Sequence, residues 1–169
     1  MKKITTSIAI LLLLAGTFFS CNNEKEEYFD EPIDVPFTIF SKSDRSNLLF
    51  LESLTGTSCE WVRLTSSQPD GVVIINSDEE LQNFLICRID NHFPVIDFSK
   101  YTLLLARGIT SGHAALVHFI DLQQLSSRNY VMDVRRSVGG LAMVSYWHAA
   151  IIIEKLDKNA RVRLNVTFY

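Results

Sequence analysis

Proline and glycine are scarce, at 4 and 7 of 169 residues, which excludes collagen-like and Gly/Pro-rich low-complexity chains. Positive charge is not in excess either, since 16 Lys and Arg face 19 Asp and Glu. Residues 1–20 carry two lysines and no acid, so their removal leaves 14 basic against 19 acidic residues, a formal charge of −5. Duplex affinity comes mainly from Lys and Arg neutralising phosphates, so no nucleic-acid partner is expected. No apolar run reaches the ~20 residues a membrane-spanning helix needs. Also missing are a Gly-x-Ser-x-Gly elbow, a His-Glu-x-x-His helix, a Gly-rich phosphate loop and a paired Cys motif. The sequence therefore predicts no enzyme: it assigns no catalytic residue, no metal and no cofactor.

What is present begins with an address. Met1-Lys2-Lys3 is a short positive start, and Ile8 to Gly16 is an uncharged apolar run that ends well before charge returns at Glu24. Such a run is too short to span a bilayer and reads as a secretory signal over residues 1–20. Ser20 directly before Cys21 resembles a bacterial lipobox, in which Cys21 is lipidated and becomes the new N-terminus. Ordinary cleavage near the same place would instead leave a soluble periplasmic protein with an odd thiol. The lipobox reading implies an outer-membrane lipoprotein held through a lipid anchor on Cys21. Asn22 to Glu27 is polar and acidic, and residues 21–36, with Pro32 and Pro36, read as a flexible tether. Its Lys and acidic residues also resemble the signal that follows the lipidated cysteine in surface-exported Bacteroidetes lipoproteins; a plain spacer is the other reading.

The remaining residues, 37–169, suffice for a single domain with a real core. Val72 to Ile75 is a run of four β-branched residues after the turn pair Asp70-Gly71, which predicts a buried strand. Ser77-Asp78-Glu79-Glu80 fits a capping box, and Leu81, Phe84 and Leu85 follow at helical spacing, so a main helix is expected near residues 77–87. From Tyr101 the chain holds five strand-like runs broken by Gly108, Gly112, Ser126-Ser127 and Gly139-Gly140. Nothing between these runs is long enough for a helical crossover, so an antiparallel meander is predicted. The expected class is α+β, a mostly antiparallel sheet with that helix packed on one face. Two further cysteines, Cys59 and Cys87, are a possible disulfide in an oxidising compartment; two buried free thiols are the alternative.

Residues 72–168 carry a resemblance. Ile74-Ile75-Asn76-Ser77, then Ile96-Asp97-Phe98-Ser99, a strand ending in Arg107-Gly108, two hairpin strands and an Ile-rich strand ending in Glu154-Lys155 resemble small Bacteroidetes lipoproteins. The pattern is also similar to the PrcB-like region of lipoproteins that stabilise a secreted protease complex. That family usually has a Gly-Gly-Tyr step where this chain has Ser111-Gly112-His113.

The candidate binding surface consists of Ser111, Gly112, His113, Gly139 and Gly140 in turns, with Tyr146 and Trp147 beside them. Tyr146, Trp147 and His148, with Trp61 and Tyr101, form either an aromatic groove or ordinary sheet packing, and packing is the expectation. Arg135-Arg136 and Arg161/Arg163 read as solvated sheet surface. His118 in its apolar run reads as a core or solvent-facing histidine. The tether and the lack of catalytic motifs point to an envelope module that holds or stabilises a protein partner. A peptide or glycan binder, or an inhibitor, is the alternative. Oligomeric state is not legible.

Overall fold

A computed structural model describes residues 26–43, 59–62, 70–87, 93–111, 116–137 and 144–168. In chain order the elements are β1 (Tyr28–Asp34), β2 (Thr38–Lys42), β3 (Cys59–Trp61), β4 (Gly71–Ile75), α1 (Asp78–Gln82), β5 (Leu85–Cys87), β6 (Tyr101–Ser111), β7 (Leu116–Ser126), β8 (Asn129–Ser137), β9 (Val144–Glu154) and β10 (Arg161–Phe168). The five strand-like runs after residue 100 are β6 to β10. The signal, Cys21 and the first tether residues lie outside the described residues. Among the described residues no helix is long and apolar enough to cross a membrane.

The strands form two four-stranded sheets, β1-β7-β8-β10 and β2-β9-β6-β4, and a small β3-β5 pair. Leu104, Trp147, Ala149 and Ile151 of the second sheet meet Ile120, Leu122, Met132 and Val134 of the first in one apolar cluster. Leu103, Leu105 and Ala150 point the other way, onto Cys59, Trp61, Leu81 and Leu85. The β2-β9-β6-β4 sheet is therefore a middle layer. Leu103 to Ala106 and Ala149 to Ile151 are consecutive and fully buried, as strands covered on both faces must be. By contrast β1 is exposed throughout, and β10 alternates between half-buried and exposed positions.

This architecture corrects the expected α+β class, because the protein is mostly β. The helix starts as its sequence predicts: the Ser77 hydroxyl accepts the Glu80 amide at 3.1 Å, and the Glu80 carboxylate reaches back to the amide of Asn76 at 2.6 Å, one residue earlier than the simplest capping box. It then stops after five residues, at Gln82. A single turn has little stability of its own. Leu85, Ile86 and Cys87 instead pair with Trp61, Glu60 and Cys59, which buries Leu85 from a strand. Cys59 and Cys87 stand directly opposite in this register, at disulfide distance with their Cα atoms 4.0 Å apart.

The meander needs a second correction. β8 and β10 run parallel, from Arg161 beside Asn129 to Phe168 beside Arg136. No helical crossover is required, because β9 supplies the return through the other sheet. Val162, Leu164 and Val166 of β10 pack on the core. Strand structure also reaches back to Tyr28, since β1 pairs with β7, earlier than the expected boundary near Phe37. Glu26 already bonds Ser126 Oγ at 2.7 Å, which holds its carboxyl below the usual range. Val72 to Ile75 is a strand, but an edge one in which Ile75 alone is fully buried.

Thr102 links the layers. Fully buried, its hydroxyl donates to Asn76 Oδ1 at 2.7 Å and accepts the Leu156 amide at 3.1 Å. Thr102→Val keeps the shape and strands both partners, so it should destabilise the fold by about 1–3 kcal/mol in denaturant titration. A shift under a few tenths would show that the two bonds contribute nothing.

Candidate binding site

Of the sequence-predicted residues, Ser111, Tyr146 and Trp147 are placed at one end of the sandwich by the register of the long strands. Ser111 at the end of β6 lies opposite Val144 at the start of β9, with Ile109 opposite Tyr146 and Gly108 opposite Trp147. In the facing sheet Leu116 and Val117 pair with Ser137 and Arg136, and Phe168 pairs with Arg136. Gly112, His113, Gly139 and Gly140 lie outside the described residues.

Tyr146 and Trp147 do not share an environment. Successive strand residues face opposite ways, so Tyr146 is 42% exposed while Trp147 is 2% exposed and belongs to the core between the two larger sheets. Trp61 packs on the far side of the middle sheet, its ring 6.0 Å from His148 and 6.2 Å from Phe40, and its Nε1 donates to Ser41 Oγ at 3.0 Å. A single groove containing both tryptophans does not exist; both are packing residues, as expected.

Arg136 departs from the sequence reading. Its side chain is 1% exposed and turned inward on the face of β8 that carries Met132 and Val134, whereas Arg135 is exposed over the Phe119 ring. The Arg136 guanidinium carbon lies 5.2 Å from the Trp147 ring centroid and 4.4 Å from that of Phe168. Burial pushes this guanidinium below its ordinary value, and the Asp70 carboxylate partly offsets that. Arginine nevertheless stays charged. Among the described residues its Nε and Nη1 have no hydrogen-bond partner, and neither has the buried Nε1 of Trp147.

Asp70 and Gly108 complete the cluster. Asp70 Oδ1 accepts the Ile109 amide at 3.0 Å. A Cβ on residue 108 would collide with the Asp70 carboxylate and the Trp147 indole nitrogen, so glycine is what lets both come this close. Arg136 was findable from the sequence by parity, because Met132, Val134 and Arg136 alternate on one face. Asp70 and Gly108 carry no such signal, since only the β4–β6 pairing, with Gly71 opposite Arg107, brings them together.

Two histidines come within reach of serines. Ser43 Oγ is 3.3 Å from His148 Nδ1, but both residues are buried and the same hydroxyl accepts the His148 amide at 3.0 Å. The exposed His118 lies 2.9 Å from Ser137 Oγ, a contact across the β7–β8 pair. Among the described residues no group of three His, Cys, Asp or Glu is placed to hold a metal ion. Compared with protein families, curated proteins and solved structures, the chain matches none.

Proposed function

We propose that this chain is a lipid-tethered binding module of the bacterial cell envelope, without catalytic activity, that holds a protein partner at the Arg136–Trp147 end of its sandwich. The observation that carries this reading is the set of buried donors on Arg136 and Trp147 that have no partner among the described residues, bordered by the exposed ring of Phe168. Native folds pair nearly all buried polar groups, so donors left open beside an exposed aromatic ring suit an incoming partner. The apolar run, Ser20-Cys21 and the acidic stretch after it supply the tether, and several acyl chains make such an anchor stable where one does not. The resemblance to PrcB-like lipoproteins points to a protein partner as well.

Two measurements test it together. Affinity purification from detergent-solubilised envelope should recover a stoichiometric partner with the wild-type chain and lose most of it with Phe168→Ala. Cys21→Ala should move the protein out of the membrane fraction without unfolding it, because Cys21 opens a polar, acidic stretch with nothing to bury. Recovery of no partner, or equal recovery with Phe168→Ala, would reject the docking surface. A Cys21→Ala protein that stays with membranes, or an intact residue 1–20 segment by mass spectrometry, would reject the anchor.

A further inference from the structure

Arg136 is a buried cation at this end whose environment among the described residues is incomplete. A buried cation requires compensation, normally from an acceptor. Trp147 and Phe168 compensate it only through their faces, since a cation is drawn to the ring quadrupole. The guanidinium N–H groups lie in the plane of the group, at right angles to that attraction, and need acceptors there. Nε and Nη1 find none. Asp70 is close enough to influence the charge, yet its Oδ1 is engaged by the Ile109 amide. Trp147 adds a third unanswered donor next to Asp70.

We propose that Arg136 and Trp147 form a receptor for a single carboxylate presented by a peptide; this rests on the docking surface proposed above. One guanidinium, partly offset by the Asp70 carboxylate, and one neutral indole N–H can take at most one further negative charge. The Asp70 carboxylate beside them repels a second, which argues against a phosphate dianion. A carboxylate is also flat, and so can meet the guanidinium in its own plane between the two rings. Access runs past Phe168, which is 58% exposed and can swing off Arg136 with little loss of buried area.

The test uses the two tryptophans as probe and control. In the full chain, labelled with 15N and held in detergent micelles, the Trp147 indole N–H and the Arg136 Nε–H should shift saturably with N-acetyl-Ala-Ala bearing a free C-terminal carboxylate. Its C-terminal amide should leave them in place. An amidated peptide carrying one Glu reports whether a side-chain carboxylate serves as well as a chain terminus, and a shift with either supports the receptor. The Trp61 indole, already bonded to Ser41, should not move. Arg136→Gln should weaken binding about ten- to a hundredfold, the worth of a charge-assisted hydrogen bond. If that variant does not fold, Trp147→Phe keeps the ring, removes the donor and should weaken binding several-fold. Equal shifts with the neutral amide, stronger binding of inorganic phosphate, or no saturable shift with either carboxylate would overturn the assignment. Should the titration fail while Phe168→Ala still abolishes partner recovery, the carboxylate is wrong and the docking surface stands. The reverse pair of results would keep the receptor and reject the protein partner.

Discussion

Ile151→Ala is expected to destabilise the protein by about 3–5 kcal/mol, the upper part of the range for deleting a buried isoleucine. Ile151 is fully buried in a central strand of the middle layer, with Leu104 of β6 on one side and Ile39 of β2 on the other. A cavity here is not readily filled, because the other members of its cluster, Leu104, Leu122 and Met132 among them, are themselves fully buried and close-packed. Ile39 occupies the same row but is 48% exposed. Ile39→Ala should cost under about 1 kcal/mol on the same measurement, since less apolar surface leaves water there. In thermal unfolding the Ile151 variant should melt lower by roughly 10 °C. Equal effects of the two substitutions would mean that β9 is not covered on both sides.

Loss of the Cys59–Cys87 link should have a comparable effect. The pair is separated by 28 residues, and closing a loop of that size lowers the entropy of the unfolded chain by about 3–4 kcal/mol at 25 °C. Replacing both with alanine should lower the denaturation midpoint accordingly, and reductant should do the same to the wild type. Alanine is preferable to serine, because Cys59 is fully buried and a hydroxyl there would add an unpartnered group. Thiol counting on the unfolded, unreduced protein should find neither cysteine free. Two titratable thiols, or a midpoint unmoved by reductant, would remove the bond.

The two cysteines also show how much of the fold local sequence could reveal. Their pairing is one readout of β5, and β5 is what the helical spacing of Leu81, Phe84 and Leu85 concealed. Those positions do face one apolar cluster, Leu81 from the helix, Leu85 from a strand and Phe84 between them. Periodicity over so few residues cannot separate the two cases. The strands of the second half were legible because their runs are long and bounded by turn residues. Their partners were not: pairing of β10 with β8 depends on β9 entering a different sheet, which no short window encodes. At the candidate site Tyr146 was legible as an exposed strand residue, whereas Trp147 beside it is core, and the turns at Gly112-His113 and Gly139-Gly140 lie outside the described residues. Arg136 was hidden because two adjacent arginines read as one solvated pair, although in a strand adjacent residues must part.

The pairings of β1 and β2 have a consequence for how the chain matures. Tyr28 lies against Ser126 and Thr38 against Ile152, so each of the first two strands waits for a partner about a hundred residues later. A polypeptide threaded through a membrane N-terminus first would hold both without partners until nearly all of it had crossed. The β7–β8 hairpin, joined by a short turn, can assemble long before that. During the wait the open edges of β1 and β2 invite wrong pairing. A nick or truncation near the C-terminus would therefore be felt at the opposite end of the chain, since removing β9 leaves β2 with no neighbour in its sheet.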